Sequence, residues 1–154
     1  MSIKKEIVVI DWIKKNPYEG DFIKLTLSSD QRRIFRGKRK SDCNKDVHLQ
    51  LPREGELNDG DILLTNHKNL FVQIIAQKEN LMEITSKTNL DLIKVAYHLG
   101  NRHVDIEINE NILFTKSDYL IEELLKNFDV VFLKVEKKFF PEIGAFSHDK
   151  KSLS

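Results

Sequence analysis

The chain of 154 residues is 40% hydrophobic and 32% charged, enough apolar material for one ordinary domain or two small ones. No apolar run reaches the roughly 18 residues that a membrane span needs, so no membrane association is expected. Cys43 is the single cysteine, which excludes an internal disulfide and suits a reducing cytoplasm.

The start, "MSIKKEIVVIDW", has lysines but no long apolar block and no small-residue cleavage site, so a signal peptide is not expected. "DFIKLTLSS" follows, with Phe22, Leu25 and Leu27 alternating imperfectly in a strand-like way. The net charge of +1 says little, but its distribution says more. Residues 1–76 carry 14 Lys/Arg against 11 Asp/Glu, and residues 77–154 carry 11 against 13. The excess gathers in "QRRIFRGKRK", where Arg32, Arg33, Arg36, Lys38, Arg39 and Lys40 form either a solvated basic turn or a patch for phosphates or an acidic partner. "DVHLQLPRE" alternates more cleanly, placing Val47, Leu49 and Leu51 on one face of a strand. Asp59-Gly60 marks a turn, Ile62 to Leu64 a strand, "NHKN" a second turn and Leu70 to Ala76 a further strand.

The character changes near Gln77–Asn80. "LMEITS" reads as a strand. "TNLDLIKVAYHLG" reads as a helix capped by Thr88, with an apolar stripe of Leu92, Val95, Ala96 and Leu99 and a stop at Gly100. "HVDIEI" predicts a strand opening at His103, "NENI" a tight turn and "ILFT" a short strand. Ser117 is the expected cap of a second helix, "DYLIEELLKNF", and "VVFLKV" closes the series as a buried strand. The order βαββαβ is the ferredoxin-like arrangement, an antiparallel sheet with both helices on one face. Its other face needs a cover, from a second subunit or from the first domain. The predicted class is therefore α+β: a β-rich N-terminal domain, a ferredoxin-like domain and a flexible C-terminal tail.

The stretch "KVAYHLGNRHVDIEI", residues 94–108, sets His98 and His103 five apart. On one straight helix they would be turned by about 500°, leaving the rings roughly 140° apart, too far around the axis to share an ion. Gly100 argues for a chain reversal between them, which puts His98 in the last helical turn and His103 at the start of the next strand, with Asp105 on the same face. One histidine holds a divalent ion poorly, but a two-fold axis presents the same residue twice. His103 is thus a candidate ligand shared between protomers, with His98 as support and the less certain ligand. A histidine beside a glycine turn is more often a capping or hydrogen-bonding residue. The tail "FFPEIGAFSHDKKSLS" supplies His148 as a second candidate ligand, able to join if the tail folds back to the axis. Imidazoles suit nickel, zinc and copper, and raw affinity favours copper.

"YHLGNRH" resembles the most specific motif of the UreE urease accessory proteins, a family of nickel metallochaperones. "LQLPREGELNDGDILL" is similar to the family's proline-arginine, spacer, aspartate-glycine-aspartate pattern, "DQRRIFRGKR" to its arginine-rich segment and "FFPEIGAF" to its sequence before the tail. The resemblance covers nearly the whole chain. It implies a β-rich N-terminal domain at 1–76 that binds a partner or peptide, a ferredoxin-like metal-binding and dimerisation domain at 77–146, and a flexible tail at 147–154. It also implies a homodimer that binds nickel at the subunit interface through His103, with His148 joining. Zinc or copper is expected to occupy the same site. The implied partners are the urease apoprotein complex and the accessory GTPase UreG. Two departures stand out. This tail has only His148 where some members carry many histidines, and Ser117, Asp118 and Tyr119 stand where some members have histidines. One strong site per dimer is expected rather than a reservoir.

A carrier must bind an ion and give it up again. A few neutral nitrogen donors allow both, whereas a closed thiolate cage releases slowly, and this chain has no cysteine cluster. Free imidazole protonates near pH 6.5, so affinity should fall steeply below roughly pH 6. The rival reading is an RNA-binding module with a ferredoxin-like sheet and a basic loop. The predicted strands offer no cluster of exposed aromatics for stacking, and "VDIEI" places acids on its polar face. An enzyme with His98 or His103 as base beside Asp105 is a third reading. No nucleophile motif, phosphate loop or closed zinc site supports it, so no catalytic activity is expected.

Overall fold

"IVVIDW" does not alternate, yet it forms the interior strand β1 (Ile7–Trp12) of a six-stranded sheet. The computed structural model describes residues 6–13, 19–53 and 56–143. The chain divides into two units, 1–77 and 78–154. In the first, β2 (Asp21–Leu27), β3 (Arg36–Lys40), β4 (Asp46–Gln50), β5 (Ile62–Thr65) and β6 (Leu70–Ala76) join β1 in the order β2-β6-β5-β1-β4-β3. β1 runs parallel to β4 and antiparallel to β5, and β2 runs parallel to β6 from Asp21 opposite Leu70 to Leu27 opposite Ala76. The Asp42 carboxylate accepts from the N–H and the hydroxyl of Thr26 at 3.1 and 2.8 Å, so the β3–β4 turn closes on β2 and the sheet curls. Val47, Leu49 and Leu51 point inward, as their alternation requires, onto Val9, Leu25, Leu63 and Ile74.

Two motifs of this unit have structural work to do. In Asp59-Gly60-Asp61, the Asp59 carboxylate accepts from the Ala76 N–H at 2.7 Å. The Asp61 carboxylate accepts from the Asn58 N–H at 2.8 Å and from the Trp12 indole at 3.2 Å. Gly60 has φ 87°, a left-handed conformation that glycine adopts without strain, and donates its N–H to Ile74. The turn thereby locks the start of β5 against the end of β6. The basic segment is a short tight turn at Gln31–Arg33 followed by β3, not a solvated loop. β3 is an edge strand, where lysine and arginine discourage pairing with another chain. Lys40 at 2.8 Å and Lys38 at 3.5 Å both pair with Asp46 on β4. The hydrogen bond from Lys40 is the main reason the Asp46 carboxyl titrates below the ordinary range. Arg32 is buried. Arg32, Lys38 and Lys40 are thus engaged within the unit, and Arg39 donates to the Lys38 carbonyl.

The second unit has the expected order: β7 (Lys78–Thr85), α1 (Asn89–Asn101), β8 (Glu107–Asn109), β9 (Ile112–Lys116), α2 (Tyr119–Leu125) and β10 (Val131–Lys138). The sheet order β10-β7-β9-β8, with every pair antiparallel, is ferredoxin-like, and the α+β class follows. Thr88 caps α1, its hydroxyl accepting from the Asp91 N–H and donating to the Asp91 carboxylate at 2.6 Å. Leu92, Val95 and Leu99 of α1 and Leu125 of α2 pack on Met82, Ile84 and Leu113.

Three local expectations fail. β8 begins at Glu107 rather than at His103, because residues 103–106 are spent on the turn out of α1. α2 is capped by Asp118, not Ser117. The Asp118 carboxylate accepts from both the Leu120 and Ile121 N–H groups, and its charge suits a helix N-terminus. β10 is not a buried strand but a sheet edge, with Val131 and Leu133 exposed. The helix-free face of the sheet is covered in part by the unit itself. After β10 the chain turns back and buries Phe139 against Leu81 and Phe114. Among the described residues no helix is long and apolar enough to cross a membrane.

Candidate metal centre

The end of α1 decides where His103 goes. Leu99 and Val104 both pack into the core of the second unit. For them to meet, the chain must reverse within five residues. The Val104 N–H bonds the Leu99 carbonyl and the His103 N–H bonds the Gly100 carbonyl, each at 3.0 Å. This is the Schellman arrangement, which needs one left-handed residue just after the helix. Gly100 does not fill that position. It lies inside the last helical turn with open space where a side chain would be, and His103 takes the left-handed conformation at φ 58°. Histidine is among the side chains that tolerate this region, yet a non-glycine residue there is strained by about 1 kcal/mol. The His103 imidazole is exposed.

His103→Gly should therefore be more stable than His103→Ala by roughly 1 kcal/mol, because only alanine carries a Cβ into the left-handed turn. Urea unfolding of the two variants checks this. Equal midpoints would mean that the turn does not hold residue 103 left-handed.

His98 does something different. It sits in the last turn of α1, half-buried, with its ring 5.2 Å from that of Phe128 and edge-on to Tyr97 at 5.3 Å. That is a packing position beyond the end of α2. Asp105, expected beside His103 on a strand, lies in the turn segment instead. His148 and the tail from residue 144 onward lie outside the described residues. Among the described residues, no cluster of three or more His, Cys, Asp or Glu side chains could close around an ion within one chain.

Two surroundings of His103 matter for its chemistry. The outer face of α1 exposes Leu90, Ile93 and Tyr97, an apolar stripe at helical spacing that runs toward the His103 end. Arg102 and Val104, on either side of His103, line an open groove with Leu120, Ile121 and Leu124 of α2. On the other face of the sheet, the Glu142 N–H bonds the Ile106 carbonyl at 2.7 Å. The segment leading to the tail thus passes three residues from His103. Glu107, read from its alternation as a solvent-facing acid, is buried, with Lys137, Asn109 and the Phe140 N–H all donating to its carboxylate. The helix-free face therefore presents buried Phe114 and Phe139 and a buried acid, not the open aromatic platform on which single-stranded RNA stacks.

A family model for the C-terminal domain of the UreE urease accessory protein matches residues 79–153. A urease accessory protein UreE from Prochlorococcus marinus subsp. pastoris strain MED4 is 81% identical over 154 residues, covering both chains in full. The chain belongs to the UreE urease accessory protein family. UreE of Prochlorococcus marinus strain MIT 9215 is 62% identical over 149 residues, 97% of this chain and 100% of that one. UreE of Synechococcus sp. strain CC9311 is 41% identical over 124 residues, 80% of each chain. The family-model match falls on the unit that carries α1, His103 and the returning segment.

Proposed function

We propose that this UreE chain is a cytoplasmic, non-catalytic nickel carrier: a homodimer that holds one nickel ion between its subunits and passes it on for assembly of the urease active site. The single observation that carries the reading is His103, an exposed imidazole held in a strained left-handed cap at the end of an exposed apolar stripe. Leu90, Ile93 and Tyr97 gain by meeting an apolar surface, and a second copy of α1 is self-complementary under a two-fold axis. With the two-fold axis passing by the C-terminal ends of the two helices, the two His103 rings stand side by side, where one ring alone would hold an ion poorly. The domain division follows the same logic, with residues 77–146 for metal and dimer contacts, 1–76 for a partner or peptide and 147–154 as tail.

Two imidazoles leave room for further donors, and His148 fits that role by reach. Six residues separate it from Glu142, at most about 20 Å of chain, while Ile106 and His103 are three residues apart, at most about 10 Å. Nickel, zinc and copper all accept such a donor set, so the cargo is set by supply and by the receiving proteins. Those are the urease apoprotein complex and its accessory GTPase UreG, which the family resemblance implies.

Nickel titration calorimetry with the mass of the complex recorded alongside tests the reading. The expected result is one tightly bound ion per two chains. A lone subunit in solution with nickel present would overturn it. His148→Ala is expected to weaken nickel binding and leave it measurable in the same titration. Unchanged affinity would remove His148 from the site.

A further inference from the structure

We infer that Gly100 is a positioning residue for the shared ion: the α1 helices of the two protomers meet there, and its missing side chain lets their ends approach until both His103 rings reach one ion. The inference rests on the proposed shared nickel site and deepens it.

Nothing within one chain calls for glycine at position 100. Gly100 lies inside α1 in a helical conformation, so the freedom of glycine to turn left-handed is not used. His103, three residues on, takes the left-handed place instead. Crowding does not demand glycine either, because a Cβ at position 100 would meet no atom within 4 Å. Glycine in a helix is less favourable than alanine, since it gives up more backbone freedom. For the folded subunit by itself, alanine would be the better residue.

The face it occupies singles the position out. At about 100° per residue, Gly100 stands roughly 20° from Ile93 and roughly 60° from Tyr97 around the helix axis. Both of those side chains are exposed. Gly100 therefore continues their apolar stripe to the end of α1 that bears His103, and leaves bare backbone where a side chain would project. Side chains at the point of contact set how close two packed helices come, commonly about 8–10 Å between axes. Under a two-fold axis by this end of α1, each bare seat faces the same region of the partner, so the approach is closer on both sides at once.

The ion supplies the need for that approach. Imidazole nitrogens bind a zinc-sized ion at about 2 Å, so two rings that share one bring their donor atoms within about 4 Å of each other. Each ring is rooted three residues past Gly100, at most about 10 Å of chain. A side chain at position 100 would be present in both protomers and would hold the helix ends apart twice over.

Nickel titration of the full-length protein, with the mass of the complex and amide exchange recorded on the same variants, tests this. Gly100→Ala should bind nickel about tenfold more weakly or worse, the loss typical of a residue that supports a metal ligand. Gly100→Leu should lose tight binding altogether. In both variants the His103 and Val104 amides should stay protected, since their acceptors are the backbone carbonyls of residues 100 and 99. Lys94→Leu enlarges the same helix roughly 120° away from Gly100 and should leave affinity unchanged. Wild-type affinity in either Gly100 variant overturns the inference. So does a loss accompanied by exchange of the Val104 amide, which would make the glycine a requirement of the helix cap. An equal loss in Lys94→Leu overturns it as well. The shared site is judged separately, on the wild-type protein. A lone subunit with nickel present rejects the carrier reading, whereas a nickel-bridged dimer that tolerates Gly100→Leu rejects this inference alone.

Discussion

Replacing His103 with alanine is expected to abolish tight nickel binding while the dimer stays assembled. On the proposed reading the two functions separate, because they use different surfaces. The apolar stripe of Leu90, Ile93 and Tyr97 lies along α1, whereas His103 stands past its end. One substitution removes two rings from a shared site, which should weaken binding by more than the roughly hundredfold that loss of a supporting residue costs. His103→Gly should lose nickel to the same degree but fold more stably than His103→Ala. The pair of variants therefore divides loss of a ligand from loss of the turn. Calorimetry reads the metal and sedimentation reads the assembly. One tight ion still bound per dimer in His103→Ala would reject the assignment. Dissociation to monomers would show that the ring, and not the stripe, holds the subunits together.

Phe139→Ala is expected to have the largest effect on stability, a loss of about 3–5 kcal/mol. Phe139 is fully buried, and it is the residue that closes the helix-free face of the second sheet over Leu81 and Phe114. Removing it leaves a cavity in a cluster with few neighbours able to collapse into it. Since whole domains are stable by only about 5–15 kcal/mol, the second unit should become marginal. Denaturant unfolding followed by exchange of the β7 and β9 amides measures this. Phe140→Ala is the comparison, because Phe140 is about half exposed and its bond to Glu107 comes from the backbone. A loss under about 1 kcal/mol for Phe139→Ala would mean that the returning segment does not cover the sheet.

Much of the second unit was legible because its signals are local. The 3.6-residue stripe of Leu92, Val95 and Leu99 and the Thr88 cap define α1 without reference to the rest of the chain. In the first unit, β6 at Leu70–Ala76 is legible to the residue, bounded by turn residues on one side and a change of character on the other. The βαββαβ order then leaves few topologies, and the ferredoxin-like one is realised. His103 was singled out by the oddity of its spacing from His98 and by the two-fold argument. The conformation that makes it unusual was not visible, because Gly100 is the more obvious candidate for a left-handed turn.

Sequence alone determined the elements whose hydrophobic period or cap lies within a dozen residues, and the motif that names the family. Tertiary structure decided everything that depends on partners far along the chain. β1 is a strand because β4 and β5 flank it, and β3 is one because β4 offers an edge to a nearly all-charged pentapeptide. Glu107 is buried because Lys137 and Phe140, some thirty residues later, bring it donors. His103 is left-handed because Leu99 and Val104 must both reach the same core. Local preferences of a few tenths of a kcal/mol per residue specify elements, but burial and long-range hydrogen bonds, each worth about 1 kcal/mol or more, choose where they end and what they touch.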